Sequence, residues 1–469
     1  MDGWCIRDLV TILQGELTLG GMPPLGGELE PVGQIVDDLR RLRRGDLYWE
    51  LPGRNRARAE EAFSRGAIGV IVGKRHVEPW AGCCSIRIDD HGKALWRLAK
   101  ASRRCFTGTT IGIASHSGRR TARCLAQQVL GRTLDGESLV VESSHIDSLA
   151  RALAFRTCSG AEGGAEGGAD YLLIELPGAD WPQIREQSGL CQPQIAAIYS
   201  VANSRGWNSM ELPTMAEQVQ QMLDALPRHG LLVLNGDDRE LRRAIRGPRD
   251  RITWVGRDSE SDLVASHVAW NDGVLTFQVG KTRFRVRVWG RQYLPAALGA
   301  LAIGRRMGIE DQQIAASLNE LPSDLGYELI SAGEFAVLRA DRNRESNAPW
   351  EALKVLRDMD VTGRRVVALA ADAGEDIDDC RRLGISAVAK YGADMLIASG
   401  PQAAELVHAA RSAGMPRHRA VACGSNEELR QVVCSVADRG DVILLDGCRN
   451  EECNSIVNEL QIGRRAKAA

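Results

Sequence analysis

The chain has 469 residues, enough for about three domains of ordinary size. Its 44% hydrophobic and 26% charged residues are those of a soluble globular protein, and a net charge of −2 excludes a general affinity for nucleic acid or anionic membrane. No apolar run approaches the ~18 residues of a membrane span, and no basic-then-apolar leader opens the chain. The twelve cysteines have no framework spacing. Cys83-Cys84 and Cys448 with Cys453 are the nearest sets and neither is a CxxC, so reduced, mostly buried thiols in a cytoplasmic protein are expected, not a zinc site.

Residues 1–107 alternate short strands and helices. A strand is predicted from Asp46 to Leu51, a helix from Ala57 to Arg65 ending at Gly66, a buried strand from Ala67 to Val72, and a helix from Asp89 to Arg104 with Ala94, Leu95, Leu98 and Ala99 on its apolar face. In residues 108–322 the strand Thr110–Ala114, a polar loop and a helix from Thr121 to Leu130 open a parallel α/β unit. Buried strands follow at Tyr171–Glu175, Ile195–Tyr199 and Leu231–Leu234; the low-complexity run 159–168 reads as a solvated loop. Val264 to Trp289 alternates like a β-hairpin, and Pro295 to Met307 forms a small-residue helix. Residues 323–469 place strands at Val366–Ala370, Met395–Ala398, Ala420–Cys423 and Val442–Leu445 between helices, a second doubly wound sheet. The fold class is α/β, in three units.

Certain segments carry more than fold. Asp38-Leu39-Arg40, Gly45-Asp46-Leu47-Tyr48, Gly53 and Gly66-Ala67 mark the first unit. Gly112-Ile113-Ala114-Ser115-His116-Ser117-Gly118-Arg119-Arg120-Thr121 follows a strand and opens a helix. Then come Tyr171 to Leu176 with Glu175 near its end, Leu234-Asn235-Gly236-Asp237-Asp238, the glycine-led stretch Gly290 to Gly308, Asp341 ahead of Leu353, and Gly440-Asp441-Val442-Ile443-Leu444-Leu445-Asp446-Gly447-Cys448-Arg449. In this order they resemble the Mur ligases, which add amino acids to cell-wall precursors with ATP. The length and the final motif resemble the branch that adds D-alanyl-D-alanine.

The resemblance implies a three-domain body: a domain for a uridine-nucleotide substrate, a central P-loop-like parallel sheet, and a Rossmann-like carboxy-terminal domain. It assigns substrate contacts to Asp38, Arg40 and Asp341, and ATP contacts to Gly112, Ser115, Gly118, Arg119, Arg120, Thr121, Asn235 and Asp238. Glu175 would hold Mg2+. It implies a UDP-muramoyl-peptide-like small molecule as ligand and a cell-wall synthesis protein as partner.

Departures from the family pattern fall on the substrate contacts and, above all, on the ATP chemistry. Leu39 stands where a serine is usual; Arg119 replaces the loop lysine, and Arg120 replaces the hydroxyl that meets magnesium. A planar guanidinium does not take the place of a compact ammonium. Arg205 stands for a metal-contacting histidine, Val219 for a lysine, Gln292-Tyr293 for a His-Asn pair, and Ala296 for the asparagine that meets adenine. The family's Thr-x-x-Asn loop is unrecognisable around Glu142 to Asp147. Losing one charge-stabilising donor costs ~2.7–4 kcal/mol at the transition state. The resemblance therefore implies a Mur-ligase-like protein without normal ATP-driven activity, in an interaction or regulatory role. The alternative is an active ligase joining D-alanyl-D-alanine to UDP-muramoyl-tripeptide with substituted residues.

Each motif also has a plainer reading. Gly112 and Gly118 either allow a tight strand-to-helix turn or leave room for an anion at the helix start. Arg119, Arg120 and Arg123 either bind that anion or form an exposed, arginine-rich helix start. Asp237-Asp238 reads equally as a solvated turn, and His116 as a surface residue.

Overall fold

Apolar runs bounded by glycine dominate the strands, and three main sheets form from them. The structure, a computed structural model, describes every residue except 1–3, 22–27, 30–31, 53–57, 116–117, 134–137, 142–149, 151–152, 154–169, 177–183, 200–210, 246–248, 272, 322–326, 333–334, 341–347, 371–375, 449 and 466–469. In the first sheet, strands β1 (Glu16–Leu19), β2 (Ile35–Val36), β3 (Leu47–Trp49), β4 (Gly69–Val72) and β5 (Cys84–Arg87) lie in the order β1-β5-β4-β3-β2. Only the β1–β5 pairing is antiparallel. Helices α1 (Ile6–Leu13), α2 (Arg58–Ser64) and α3 (His91–Cys105) accompany them. Asp90 caps α3 by accepting from Lys93 N at 3.1 Å, and the predicted face of Ala94, Leu95, Leu98 and Ala99 is buried.

The central sheet is parallel throughout. It contains β6 (Thr109–Ala114), β7 (Ser138–Val141), β8 (Tyr171–Leu176), β9 (Ile195–Ile198), β10 (Leu231–Asn235), β11 (Ile252–Gly256) and β12 (Leu263–Val264), ordered β12-β11-β10-β9-β6-β8-β7. Both faces are covered, so side chains alternate between two cores. Ile111, Ile113, Leu173 and Val233 join the core shared with the carboxy-terminal sheet. Ala114, Leu172, Ile174 and Leu232 join the core shared with the amino-terminal sheet. Helices α4 (Arg119–Thr133), α5 (Ile184–Cys191), α6 (Glu211–Ala225) and α7 (Arg239–Ala244) belong to this unit. The expected hairpin is two consecutive hairpins: β13 (Ser266–Asn271), β14 (Val274–Val279) and β15 (Thr282–Arg287) form an antiparallel three-stranded sheet, turning at Gly273 and Gly280 with positive φ. Helices α8 (Leu294–Arg306) and α9 (Asp311–Asn319) follow.

The last sheet is ordered β16-β17-β21-β18-β19-β20, from β16 (Tyr327–Ala332), β17 (Phe335–Ala340), β18 (Arg365–Ala370), β19 (Met395–Ser399), β20 (Ala420–Cys423) and β21 (Val442–Asp446). It is parallel apart from β16–β17. Helices α10 (Ala348–Asp358), α11 (Ile377–Ala389), α12 (Ala403–Ser412), α13 (Asn426–Val436) and α14 (Asn450–Arg465) connect or flank its strands. Gly440, at φ +81°, turns the chain into β21, and buried Asp441 accepts from Arg364 N at 2.8 Å and Arg364 Nη2 at 2.6 Å. Among the described residues the cysteines are free thiols, and no helix is long and apolar enough to cross a membrane.

Arg103, buried at the end of α3, donates to the carbonyls of Cys191 and of Gln192, the latter at 2.8 Å, and so ties the first unit to α5. Charged donors to buried carbonyls contribute ~1.5–3 kcal/mol each. Arg103→Met is expected to lower the urea midpoint by an amount equivalent to about 2–4 kcal/mol, while surface Arg104→Met leaves it unchanged. In the same unit Trp49 Nε1 donates to His91 Nδ1 at 3.1 Å, which requires a neutral ring. Burial pushes His91 below the usual imidazole range, against the opposing pull of Asp90 and Glu50. The unfolded ring takes up a proton near pH ~6.5 while the folded ring resists it. Stability present above that pH is therefore expected to fall as pH drops through it, and His91→Gln to flatten that slope in a pH series of urea melts.

Candidate functional site

The carboxyl ends of β6, β9 and β10 meet the start of α8 and the face of α10, and a cleft of about 510 Å³ opens there. A crevice outside the carboxyl ends of parallel strands is where open α/β sheets bind ligands. Gly118, at φ +69°, forms part of its floor. A Cβ on Gly118 would come within 2.7 Å of the Tyr293 ring, so this glycine is required by close packing as well as by its backbone. Gly112 sits inside β6, opposite Ile174 and Ala196, where a Cβ would press on Leu176 at 3.0 Å. It packs the strand and does not belong to the loop.

Ser115 and Thr121 are buried on either side of the loop. Arg119 and Arg123 are one helical turn apart at the start of α4, and both reach Glu175 on β8. Arg123 Nε donates to Glu175 Oε1 at 2.6 Å, and Arg119 Nε lies 3.5 Å from Oε2. Arg119 Nη1 also donates to the Leu176 carbonyl at 3.0 Å. The three side chains are 14% (Arg119), 7% (Arg123) and 7% (Glu175) exposed. Both carboxylate oxygens of Glu175 therefore face guanidinium groups in a dry environment. Arg120 is half-buried beside them.

The Leu-Asn-x-Asp-Asp segment is fully used by the backbone. Asn235 Nδ2 donates to Tyr199 O at 3.1 Å, and Asn235 Oδ1 accepts from Asp237 N at 3.1 Å. Asp237 Oδ1 accepts from Arg257 N and Asp258 N at 2.7 and 2.9 Å. Asp238 caps α7 through Leu241 N at 3.0 Å. Asn235 and Asp237 line the cleft; Asp238 does not. In the first unit, Asp38 and Arg40 pair with each other at 2.7 Å, with Arg40 87% exposed, and Leu39 is packed in a small core beneath them. Asp341, His116, Arg205 and residues 142–147 lie outside the described residues.

The cleft also holds residues that the motifs did not assign to the site, Tyr199 and the charged face of α10, beside Gln292, Tyr293 and Ala296, which they did. Tyr199 lies against Gly299 of α8, where a Cβ would meet its hydroxyl at 2.1 Å. Among the described residues its buried hydroxyl has no hydrogen-bond partner and neither has Gln292 Oε1 nearby on the wall, and burial pushes the Tyr199 ionisation upward. Helix α10 supplies Glu351, Lys354, Arg357 and Asp358, in which Lys354 Nζ donates to Glu351 at 2.7 Å and Arg357 Nε to Asp358 at 2.9 Å. The i, i+3 spacing of Glu351, Lys354 and Arg357 is readable in the sequence; that this helix faces Gly118 is not. Val219 lies away from the cleft, wholly buried with Met222, Leu223 and Leu226 in one apolar stripe. Ala296 and Tyr293 are on the cleft wall. Among the described residues no group of three or more His, Cys, Asp or Glu is arranged to hold a metal ion.

No family model matches the chain. It is 20% identical over 436 residues to the UDP-N-acetylmuramoyl-tripeptide--D-alanyl-D-alanine ligase of Bacillus subtilis (strain 168), covering 91% of this chain and 92% of that protein. The enzyme of the same name from Escherichia coli (strain K12) is 22% identical over 468 residues, 97% of this chain and 98% of its own. Among solved structures, MurF from Acinetobacter baumannii superposes with a TM-score of 0.73 at 16% identity, over 98% of this chain and 99% of that one. MurF ligase from Thermotoga maritima, in complex with ADP, gives 0.70 at 16% identity over 93% and 99%. The chain thus has the Mur ligase fold from end to end, and its sequence is similar to the D-alanyl-D-alanine-adding ligases, as the motifs implied.

Removing one member of a buried ion pair leaves an uncompensated charge and costs ~3–5 kcal/mol. Glu175→Gln is expected to destabilise the protein by about that amount in urea unfolding. An unchanged midpoint would mean that the two guanidinium groups do not depend on this carboxylate.

Proposed function

We propose that this chain is a Mur-ligase-like protein of peptidoglycan precursor synthesis that lacks ATP-driven ligation, and that it acts in the cytoplasm through binding. Its relatives are D-alanyl-D-alanine ligases of UDP-muramoyl-tripeptide by name, which supports a UDP-muramoyl-peptide-like ligand; on this reading the partner is a cell-wall synthesis protein. On this reading residues 1–107, 108–322 and 323–469 are its three domains.

The carrying observation is Glu175 enclosed by Arg119 and Arg123. Mg2+ needs oxygen ligands at ~2.0–2.1 Å in near-octahedral geometry. The carboxylate that would supply one already meets two guanidinium groups, Arg120 brings a third cation to the helix start, and Val219 offers no side-chain donor. The residues present do not fit the metal. Phosphoryl transfer is mostly positioning and charge stabilisation by such cations, so without the metal the family's chemistry has no engine.

One observation favours the second reading, an active ligase with substituted residues. The cleft beside Gly118 persists, with Arg257, Arg291, Lys354 and Arg357 along it. The two readings separate in a single assay of ADP release with UDP-muramoyl-tripeptide, D-alanyl-D-alanine, ATP and Mg2+. The expected result is no release above a substrate-free control, together with no calorimetric heat from millimolar Mg-ATP. ADP formation that depends on both substrates would overturn the proposal in favour of the ligase.

A further inference from the structure

The opposite end of the central sheet carries a second cleft, of about 450 Å³, at the amino-terminal ends of β10, β11 and β12. The strands are parallel and β10 is five residues long, so this cleft and the one beside Gly118 are separated by the length of the sheet. Neither the family motifs nor the cell-wall reading uses it.

Four arginines line it. Arg228 precedes β10, Arg251 precedes β11, and Arg305 and Arg306 end α8. Asp250 and Asp262 share the wall, so four cations face two carboxylates in a chain whose net charge is −2. One of those carboxylates is committed: Asp262 Oδ2 accepts from Trp254 N at 2.8 Å. The arginines divide into held and available groups. Arg251 is anchored by Nη2 to the carbonyls of Leu223, Leu226 and Pro227 at 2.8, 3.0 and 3.3 Å, while its buried Nε has no partner among the described residues. Arg305 grips Asp311 through two bonds of 2.8 and 2.7 Å. Among the described residues Arg306 commits only Nη2, to the His229 carbonyl at 2.8 Å. Arg228 makes no hydrogen bond or ion pair among the described residues.

The carboxy-terminal end of α8 accounts for two of these cations, since positive groups there offset about half a negative charge. It does not account for Arg228 or Arg251, which come from other segments. Like charges gathered around a concave surface repel one another and focus an attractive field on anions. Phosphate oxygens match the donor fork of a guanidinium better than any other common ligand group does, apart from a carboxylate. The volume is within the ~300–1,000 Å³ of small-molecule sites.

We propose that this cleft binds a phosphate-bearing small molecule, with Arg228 and Arg306 contacting the phosphate and the anchored Arg251 holding the positive field behind them. The proposal is independent of whether the distant cleft supports ligation.

Inorganic pyrophosphate, titrated calorimetrically into the full chain at low salt with a chelator present, is the probe. Saturable binding is expected, weakened at least tenfold in Arg228→Glu and in Arg306→Gln and unchanged in Arg104→Glu, an exposed arginine that lines neither cleft. Arg228 makes no hydrogen bond or ion pair among the described residues, so Arg228→Glu decides the matter should Arg306→Gln fail to fold. Ribose 5-phosphate and citrate separate phosphate esters from carboxylates. No saturable binding of pyrophosphate at millimolar concentration, equal affinity in wild type and Arg228→Glu, or citrate bound as tightly as pyrophosphate would each overturn the proposal.

Discussion

A carboxylate withdrawn from water stays charged only if other groups replace the solvent, and for Glu175 those groups are Arg119 and Arg123. The contact stitches the end of β8 to the first turn of α4, and Arg119 adds a bond to the next carbonyl along the strand. Just before α4, Gly118 packs directly under the Tyr293 ring. A charge cluster of this kind is an expensive way to stabilise a fold, because desolvation consumes much of the Coulombic gain. What it supplies is a fixed geometry, in which helix, strand and loop have one mutual arrangement. Positive charge at the head of α4 is thus spent internally, on a neighbouring strand, before any ligand arrives.

The central sheet explains why both of its ends are concave. Its strands bury both faces, so neighbouring helices cover the flat surfaces and only the strand ends remain open. At the carboxyl end, turns and caps consume the polar side chains of Asn235, Asp237 and Asp238, and the cleft is walled by aromatic rings and the charged face of α10. At the amino end, arginines from separate segments converge with fewer partners. The same scaffold therefore presents two chemically different surfaces.

Much of this fold was legible in the sequence. Parallel strands buried on both sides appear as unbroken apolar runs, and the segments at Tyr171, Ile195, Leu231 and Val442 were placed within a residue or two. The stretch from Val264 to Trp289 was read as one hairpin because a second turn at Gly280 leaves the alternation undisturbed. The candidate site was legible in part. Glu175 and the arginine run were flagged, but the sequence drew attention to Arg120, whereas Arg123 makes the 2.6 Å contact. Four-residue spacing puts Arg119 and Arg123 on one face; which strand that face meets is a matter of sheet order, which no local pattern encodes. The second cleft was invisible for the same reason, since its arginines are drawn from segments up to 78 residues apart, from Arg228 to Arg306.

Val219 has a consequence for how this chain can change. It completes a buried apolar stripe with Met222, Leu223 and Leu226. Introducing an ammonium there in one step would strand a charge in hydrocarbon, and freeing Glu175 would strand two more. Single substitutions towards a metal-binding set thus descend into instability before any new chemistry can be selected. The packing couples these positions: the surroundings are fitted to the present side chains, and replacing one of them requires several to move together.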